Sequence, residues 1–85
     1  MIIDVINRLF GGDINDKRPL HVNSICRIAY AGYLKYHKKY SCKEIAVITN
    51  SPYKTTTDRV KKHRDTYEVD LLYRTKFDNL LKQEL

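Results

Sequence analysis

The stretch that decides the fold is residues 41–64, SCKEIAVITNSPYKTTTDRVKKHR. It opens with Ser41 and Glu44, which have the S-x-x-E spacing of a capping box. In that motif the serine oxygen accepts a bond from the third helical amide, and the glutamate reaches back to the serine amide. The segment CKEIAVI at 42–48 is therefore predicted to be a short helix.

A second, longer helix is predicted directly after it. Thr49-Asn50 is expected to form a turn, and Ser51 is expected to cap the new helix. Pro52 would then occupy the first helical position, where the missing N–H costs nothing. A short helix, a tight turn and a long helix within about 25 residues is the outline of a helix-turn-helix, here about residues 41–65.

Helical spacing extends to both ends of the chain. Residues 2–10 carry an apolar stripe that Gly11-Gly12 is expected to end, and a long helix is expected from Asn23 or Ser24 to Tyr40. The last segment is amphipathic, and a break is predicted near residues 65–69. The predicted buried positions are Val22, Ile25, Ala29, Tyr33, Tyr36, Tyr40, Ile45, Ile48, Val69, Leu72, Tyr73, Phe77, Leu80 and Leu81. Since no segment reads as a strand, the expected fold class is all-α, one compact helical domain over residues 1–85.

Length and composition narrow the protein class. Eighty-five residues suffice for one domain with a modest core. The first ten residues are apolar, but Asp4 interrupts them and no basic stretch precedes them, so neither a signal peptide nor a membrane span is expected. Cys26 and Cys42 stand sixteen residues apart without ligand spacing to any histidine. Two reduced thiols in a cytoplasmic protein are expected, with a disulfide or a metal site as the alternative.

The net charge of +6 is unevenly distributed. Residues 17–64 hold twelve Lys or Arg against two acids, a net charge of +10, while residues 1–16 and 65–85 each carry −2. A basic segment of this density attracts phosphate backbones, which indicates a nucleic-acid partner. The alternative is a solvated basic face that serves only solubility.

Three consecutive threonines stand at the start of the predicted long helix. In a helix-turn-helix the N-terminal residues of the second helix contact base edges, and a threonine offers them a hydroxyl and a methyl group. Tyr53 and Lys54 would complete this groove-facing turn. One threonine, Thr56 or Thr57, is expected to pack inward with Val60. The residues expected to touch phosphates farther along the helix are Arg59 and Lys62.

Residues 41–64 resemble the signature region of the C-terminal DNA-binding domain, domain IV, of the bacterial replication initiator DnaA. That family reads approximately S-x-x-E-I-G-x-x-F-G-x-R-D-H-T-T-V. The residues that match it in register without a gap are Ser41, Glu44, Ile45, Ala46, Thr55 and Thr56. Upstream, KRPLHVNSICRIAYAGYLKYH is similar to the family's basic loop and long helix, and the last segment is similar to its final helix. The resemblance covers residues 15–85 and implies a Trp-repressor/DnaA domain IV-like helical fold.

The resemblance also implies roles for individual residues. Thr55 and Thr56 match threonines that contact bases and phosphates. The basic residues that match positions near the DNA backbone or major groove are Arg27, Lys35 and Lys43. Lys17-Arg18 resembles the loop whose arginine enters the minor groove, although strict alignment puts Pro19 at that arginine.

The sequence departs from the family where the DNA site is read. The family's Arg-Asp-His is Pro52-Tyr53-Lys54 here, so the initiator's box specificity is not expected to persist. No segment resembles the family's ATPase domain, so neither nucleotide nor any other cofactor is expected. The leading hypothesis is a stand-alone double-stranded DNA-binding regulator of replication or transcription, from a bacterium, phage or mobile element. The alternative is a small protein that contacts and inhibits a replication or transcription protein. We expect no enzyme, because no nucleophile–base pair, metal cluster or catalytic carboxylate pair is readable.

Overall fold

The computed structural model describes residues 2–84, without the side chain of Glu84. Its elements are α1 (Ile2–Phe10), α2 (His21–Gly32), a π-helical turn (Tyr33–His37), α3 (Cys42–Ile48), α4 (Tyr53–Val69) and α5 (Leu71–Glu84). Five helices and no strand occupy the described range, which confirms the all-α class. Gly11 follows α1 with a φ of +74°, and its amide bonds to the Asn7 carbonyl at 2.9 Å, so the first helix ends where the glycine pair predicted.

The core lies where α2 packs along α4. α1 and α5 pack together on one side of this pair, and α3 packs against α4 and the π-helical turn. The buried apolar side chains come from every element: Ile6, Phe10, Cys26, Ala29, Ala31, Tyr33, Leu34, Ile45, Val60, Tyr73, Phe77 and Leu80. α4 contacts both α2 and α3, and these contacts fix the orientation of its first turn.

The predicted buried face of the long helix was wrong in part. Val22, Tyr36 and Tyr40 are 38%, 43% and 37% exposed, and the α-helix ends at Gly32 instead of Tyr40. Asn23, a polar residue one position from the predicted stripe, is buried instead. After Gly32 the helix widens, and the Lys38 amide bonds to the Tyr33 carbonyl five residues earlier. This wider turn changes the direction of Tyr36, and Tyr40 lies beyond the helix, after Lys39 with a φ of +64°.

The break before the last helix falls at Asp70, one residue beyond the predicted window. Asp70 is extended, and its carboxylate accepts a hydrogen bond from the Tyr73 amide at 3.1 Å, which caps α5. Tyr73, Phe77 and Leu80 are buried and Leu81 is half-buried, as predicted. The prediction was wrong for Val69 and Leu72, which are 84% and 65% exposed, and in α3 it held for Ile45 but not for Ile48, which is 45% exposed. Leu72 stands a quarter turn from Tyr73, so a helix that buries Tyr73 leaves Leu72 at its edge.

His63 of α4 lies at the junction of α2, α4 and α5. It is 4% exposed, and its ring lies among Tyr36, Tyr67, Tyr73 and Phe77 at centroid distances of 4.5–5.9 Å. Its Nδ1 and the Tyr73 hydroxyl are 2.7 Å apart. Burial lowers the pKa of His63 to about 4. A Cβ atom on Gly32 would overlap this ring, so only glycine lets α2 approach α4 so closely.

Candidate nucleic-acid interface

Hydrogen bonds fix the connection between α3 and α4. The Ser41–Glu44 capping box is present as predicted: the Glu44 amide donates to the serine Oγ at 3.2 Å, and the Ser41 amide donates to the glutamate at 3.0 Å. Asn50 adopts the left-handed region with a φ of +50°, which asparagine tolerates. The Ser51 amide then bonds back to the Ala46 carbonyl at 2.9 Å. Four residues, 49–52, thus turn the chain from one helix into the next.

Ser51 does not cap α4, contrary to the prediction. Pro52 is extended and stands at the N-cap, and α4 begins at Tyr53. The Ser51 hydroxyl donates to the Thr49 carbonyl at 3.2 Å and accepts a bond from Arg59 Nη1 at 2.9 Å. The serine therefore ties the turn to the second turn of α4, which holds Arg59 in place.

The three threonines have three different environments. Thr56 is 1% exposed, and its hydroxyl donates to the Pro52 carbonyl at 3.1 Å. Thr56 or Thr57 was predicted to pack inward, and Thr56 is that residue. Its assignment as a DNA contact was wrong because its side chain lies in the core. Thr57 is half-buried and donates to the Lys54 carbonyl at 2.8 Å. Thr55 is half-buried on the flank of α4, so it is the threonine that remains a candidate for a base contact.

A groove of about 240 Å³ runs along that flank, between α2 and α4. It brings together four of the predicted site residues, Arg27, Thr55, Arg59 and Lys62, and it also contains Ser24, Ile28 and Asp58. Burial and the neighbouring charge of Arg27 both lower the pKa of the Arg59 guanidinium. Two like charges this close favour an anion between or beside them.

Arg27 also supports the loop that precedes α2. Its guanidinium donates to the carbonyl of Ile14 at 3.2 Å and to the carbonyl of Asp16. Buried Asn23 accepts the Asp13 amide at 2.9 Å, and Asn7 accepts the Ile14 amide at 2.9 Å. Residues 13–18 are thus ordered without being helical. Sequence reasoning missed this function of Asn23; the available signal was an asparagine beside the apolar stripe and close to a polar loop.

The loop presents Lys17 and Arg18 differently. Lys17 is exposed. Arg18 is also exposed, but its guanidinium forms an ion pair with Asp16, with 2.6 Å between Nη2 and Oδ2. Hydrogen bonds from Arg18 hold the pKa of the Asp16 carboxyl well below its usual range. An exposed pair of this kind contributes little stability, so an external phosphate can compete for Arg18.

The other predicted contacts lie on separate elements. Lys43 is exposed in the first turn of α3, and Lys35 is half-buried in the π-helical turn. Tyr53 is 55% exposed and Lys54 is exposed, both in the first turn of α4. The structure thus groups Arg27 and Arg59 with Thr55 and Lys62 in the groove, while the other predicted contacts lie outside its lining.

No arrangement of three or more His, Cys, Asp or Glu suited to a metal ion occurs within residues 2–84. Cys26 is buried and Cys42 half-buried, and both are free thiols. Burial raises the pKa of the Cys26 thiol. The helices of this range are all too short or too polar to span a membrane.

Comparison with known proteins gives no further identification: no family model, no curated protein and no solved structure matches the chain. The resemblance to DnaA domain IV therefore stays a prediction from the residues quoted above.

Proposed function

We propose that the chain is a sequence-specific double-stranded DNA-binding protein that resembles the DnaA C-terminal domain. In this proposal α3, the turn and α4 act as a helix-turn-helix, and the first turn of α4 enters the major groove. The observation that carries the proposal is the position of that turn: Tyr53 and Lys54 are exposed at the tip of α4, beside a groove that holds Arg27 and Arg59. The segment that contains them has a net charge of +10.

Each residue then has a distinct role. Lys54 and Thr55 read base edges, and Tyr53 contacts a base or a phosphate. Arg59, Lys62 and Lys43 bind phosphates, as do Lys35 and Lys17, and Arg18 reaches the minor groove after release from Asp16. Arg27 acts mainly by positioning the loop, because its guanidinium donates to two loop carbonyls.

The biological role that fits best is occupancy of DNA sites as a regulator of replication or transcription. In this proposal the chain acts by binding DNA, without nucleotide. Since Pro52-Tyr53-Lys54 replaces the family's Arg-Asp-His, its preferred site should differ from the initiator's box at the base pairs that face residues 52–54. A competition assay with that box tests this point: preferential binding of the initiator's consensus over every selected site would contradict it.

Fluorescence anisotropy with a random duplex and a selected duplex, each at several salt concentrations, tests the proposal. Five or six phosphate contacts predict a log–log salt slope of about −5. Lys35→Ala and Lys62→Ala should weaken binding to both duplexes equally. Lys54→Ala and Thr55→Val should reduce discrimination by about 1–3 kcal/mol each.

Thr56→Val is the matched control, because it makes the same chemical change at the adjacent position, which is buried. It should leave discrimination between the duplexes unchanged. No binding to either duplex at low salt would overturn the proposal. Equal effects of Thr55→Val and Thr56→Val on discrimination would overturn the recognition-helix assignment alone.

A further inference from the structure

Three exposed apolar residues surround the break between α4 and α5. Val69, Leu71 and Leu72, here called the junction patch, are 84%, 72% and 65% exposed. They flank Asp70 within four consecutive residues, so three largely exposed apolar side chains lie close together along the chain, whereas single ones are normal on protein surfaces. A patch of this kind marks a binding surface for an apolar partner.

The junction patch borders a cleft between α2, α4 and α5. The cleft has a volume of about 510 Å³, and Leu72 lines it. Its apolar lining is completed by Phe10, Ile25, Ile28 and Tyr73. Phe10 and Tyr73 are buried, with ring centroids 5.3 Å apart, so they form its floor. This volume lies in the range of sites that accept a few inserted side chains.

The charged groups of the cleft are mostly basic. Lys62 of α4 and Lys76 of α5 line it, and the Lys76 ammonium lies 5.9 Å from the Phe10 ring centroid. Among the described side chains, Asp70 supplies the one carboxylate of the lining, and that carboxylate already accepts the Tyr73 amide. An occupant that combines apolar side chains with carboxylates would match both features of the cleft.

We propose that this cleft and the junction patch bind a short amphipathic segment of a partner protein, with Asp or Glu beside its apolar face. DNA fits less well, because a phosphate backbone would pair with the lysines and leave Val69 and Leu71 in water. A second copy also fits less well, since two copies facing each other here would oppose Lys62 and Lys76 to their equivalents. Such helix-in-groove binding is a common mode of peptide recognition. The inference does not depend on DNA binding.

Two labelled synthetic 16-residue helical peptides test the proposal. Both carry the same Leu/Phe face, and their polar faces carry Glu in one and Lys in the other. By fluorescence anisotropy with the full chain, the Glu peptide should bind at least about tenfold more tightly than the Lys peptide. Leu72→Glu and Lys76→Glu should each weaken binding of the Glu peptide by about tenfold.

Matched controls separate the cleft from general charge effects. Val47→Glu places the same group at another apolar site, 81% exposed on α3. Lys82→Glu makes the same charge reversal at a second lysine of α5, which is exposed and lies outside the cleft lining. Both should change affinity by less than about twofold. Circular dichroism and thermal melting establish that each variant is folded. Lys54→Ala, at an exposed lysine outside the cleft, should keep its affinity for the Glu peptide while it reduces DNA discrimination, so a failure here differs from a failure of the proposed function.

Amide chemical-shift mapping of the unsubstituted chain with the Glu peptide gives a second measurement that needs no variant. The largest shifts are expected at Thr66, Val69–Tyr73 and Lys76. Three outcomes would overturn the proposal: no binding of the Glu peptide, shifts centred on Lys43 and Lys54, or self-association of the free chain that Leu72→Glu abolishes.

Discussion

The His63 cluster and the junction patch are two apolar regions within ten residues of each other, and the first is buried while the second is exposed. Around His63 four aromatic rings and Gly32 exclude water, while Val69, Leu71 and Leu72 remain largely exposed. The difference arises at Asp70, where α4 ends and α5 begins with a new inward direction set by Tyr73. Apolar content alone therefore does not decide burial; the residue at which a helix restarts decides which apolar side chains face inward.

The largest expected effect on the free energy of unfolding is at the His63 cluster. Gly32→Ala should destabilise the fold by at least ~3 kcal/mol, because the new methyl group would overlap the buried His63 ring. Chemical denaturation measures this loss, and Ser24→Ala, on the exposed side of the same helix, should cost almost nothing. In the double variant Gly32→Ala/His63→Ala the costs should not add, because the second change removes the clash. Strict additivity would mean that His63 is not the obstacle.

Acidification should destabilise the fold through His63. His63 has a folded pKa of about 4, below its usual value near 6.5, so the unfolded chain binds a proton more readily than the folded one. The contribution of His63 to the free energy of unfolding is fully present above about pH 6.5. It falls as the pH drops toward 4, by about 2 kcal/mol between pH 7.5 and pH 5. The groups that face it are tyrosine and phenylalanine rings.

Urea denaturation across that pH range measures the slope. His63→Gln should remove most of it, whatever its cost at neutral pH. The exposed His37 provides the control, since His37→Gln should leave the slope in place. An unchanged slope in His63→Gln would assign the acid sensitivity to other groups.

A smaller effect is expected from the hydrogen bond inside the cluster. Tyr73→Phe removes the hydroxyl that lies 2.7 Å from His63 Nδ1 and leaves a buried nitrogen without that partner, at a cost of about 1–2 kcal/mol. Tyr36→Phe is the matched control, because its ring also lies against His63 but its side chain is 43% exposed. Thermal or chemical denaturation of both variants measures the difference. Equal losses would show that the bond contributes no more than an exposed hydroxyl.

The smallest effect is expected at the junction patch. Leu71→Ala should change the free energy of unfolding by less than ~0.5 kcal/mol, because Leu71 is 72% exposed. Leu80→Ala makes the same change on the same helix at a fully buried position and should cost about 2–5 kcal/mol. If Leu71→Ala cost as much as Leu80→Ala, the junction patch would be part of the core in solution.

Features that depend on local sequence were predictable. The capping box, the turn at Thr49-Asn50 and the glycine stop after α1 all rest on neighbouring residues, and all are present. It was harder to predict which side chains of each helix face the core. The π-helical turn after Gly32 and the break at Asp70 each shift the inward direction. The break was predicted to within one residue, but the side chains that face inward after it depend on packing between helices.

In the candidate site, too, some features follow from local sequence and others depend on packing between helices. The first turn of α4 could be placed from its sequence, including one inward threonine. Which threonine it was, and that Ser51 binds Arg59 instead of capping the helix, depended on packing between helices. The grouping of Arg27 with Arg59 joins residues 32 positions apart, so no local pattern could reveal it. The helix-turn-helix assignment and the DNA contacts themselves stay predictions.

The loop at residues 13–18 has a thermodynamic consequence for binding. A basic arm that orders only when its ligand arrives loses conformational entropy at that moment, and its affinity falls accordingly. Here Asn7, Asn23 and Arg27 order the loop during folding. Association through Lys17 and Arg18 should therefore show the small heat-capacity change of rigid docking, without the large negative value that accompanies coupled folding.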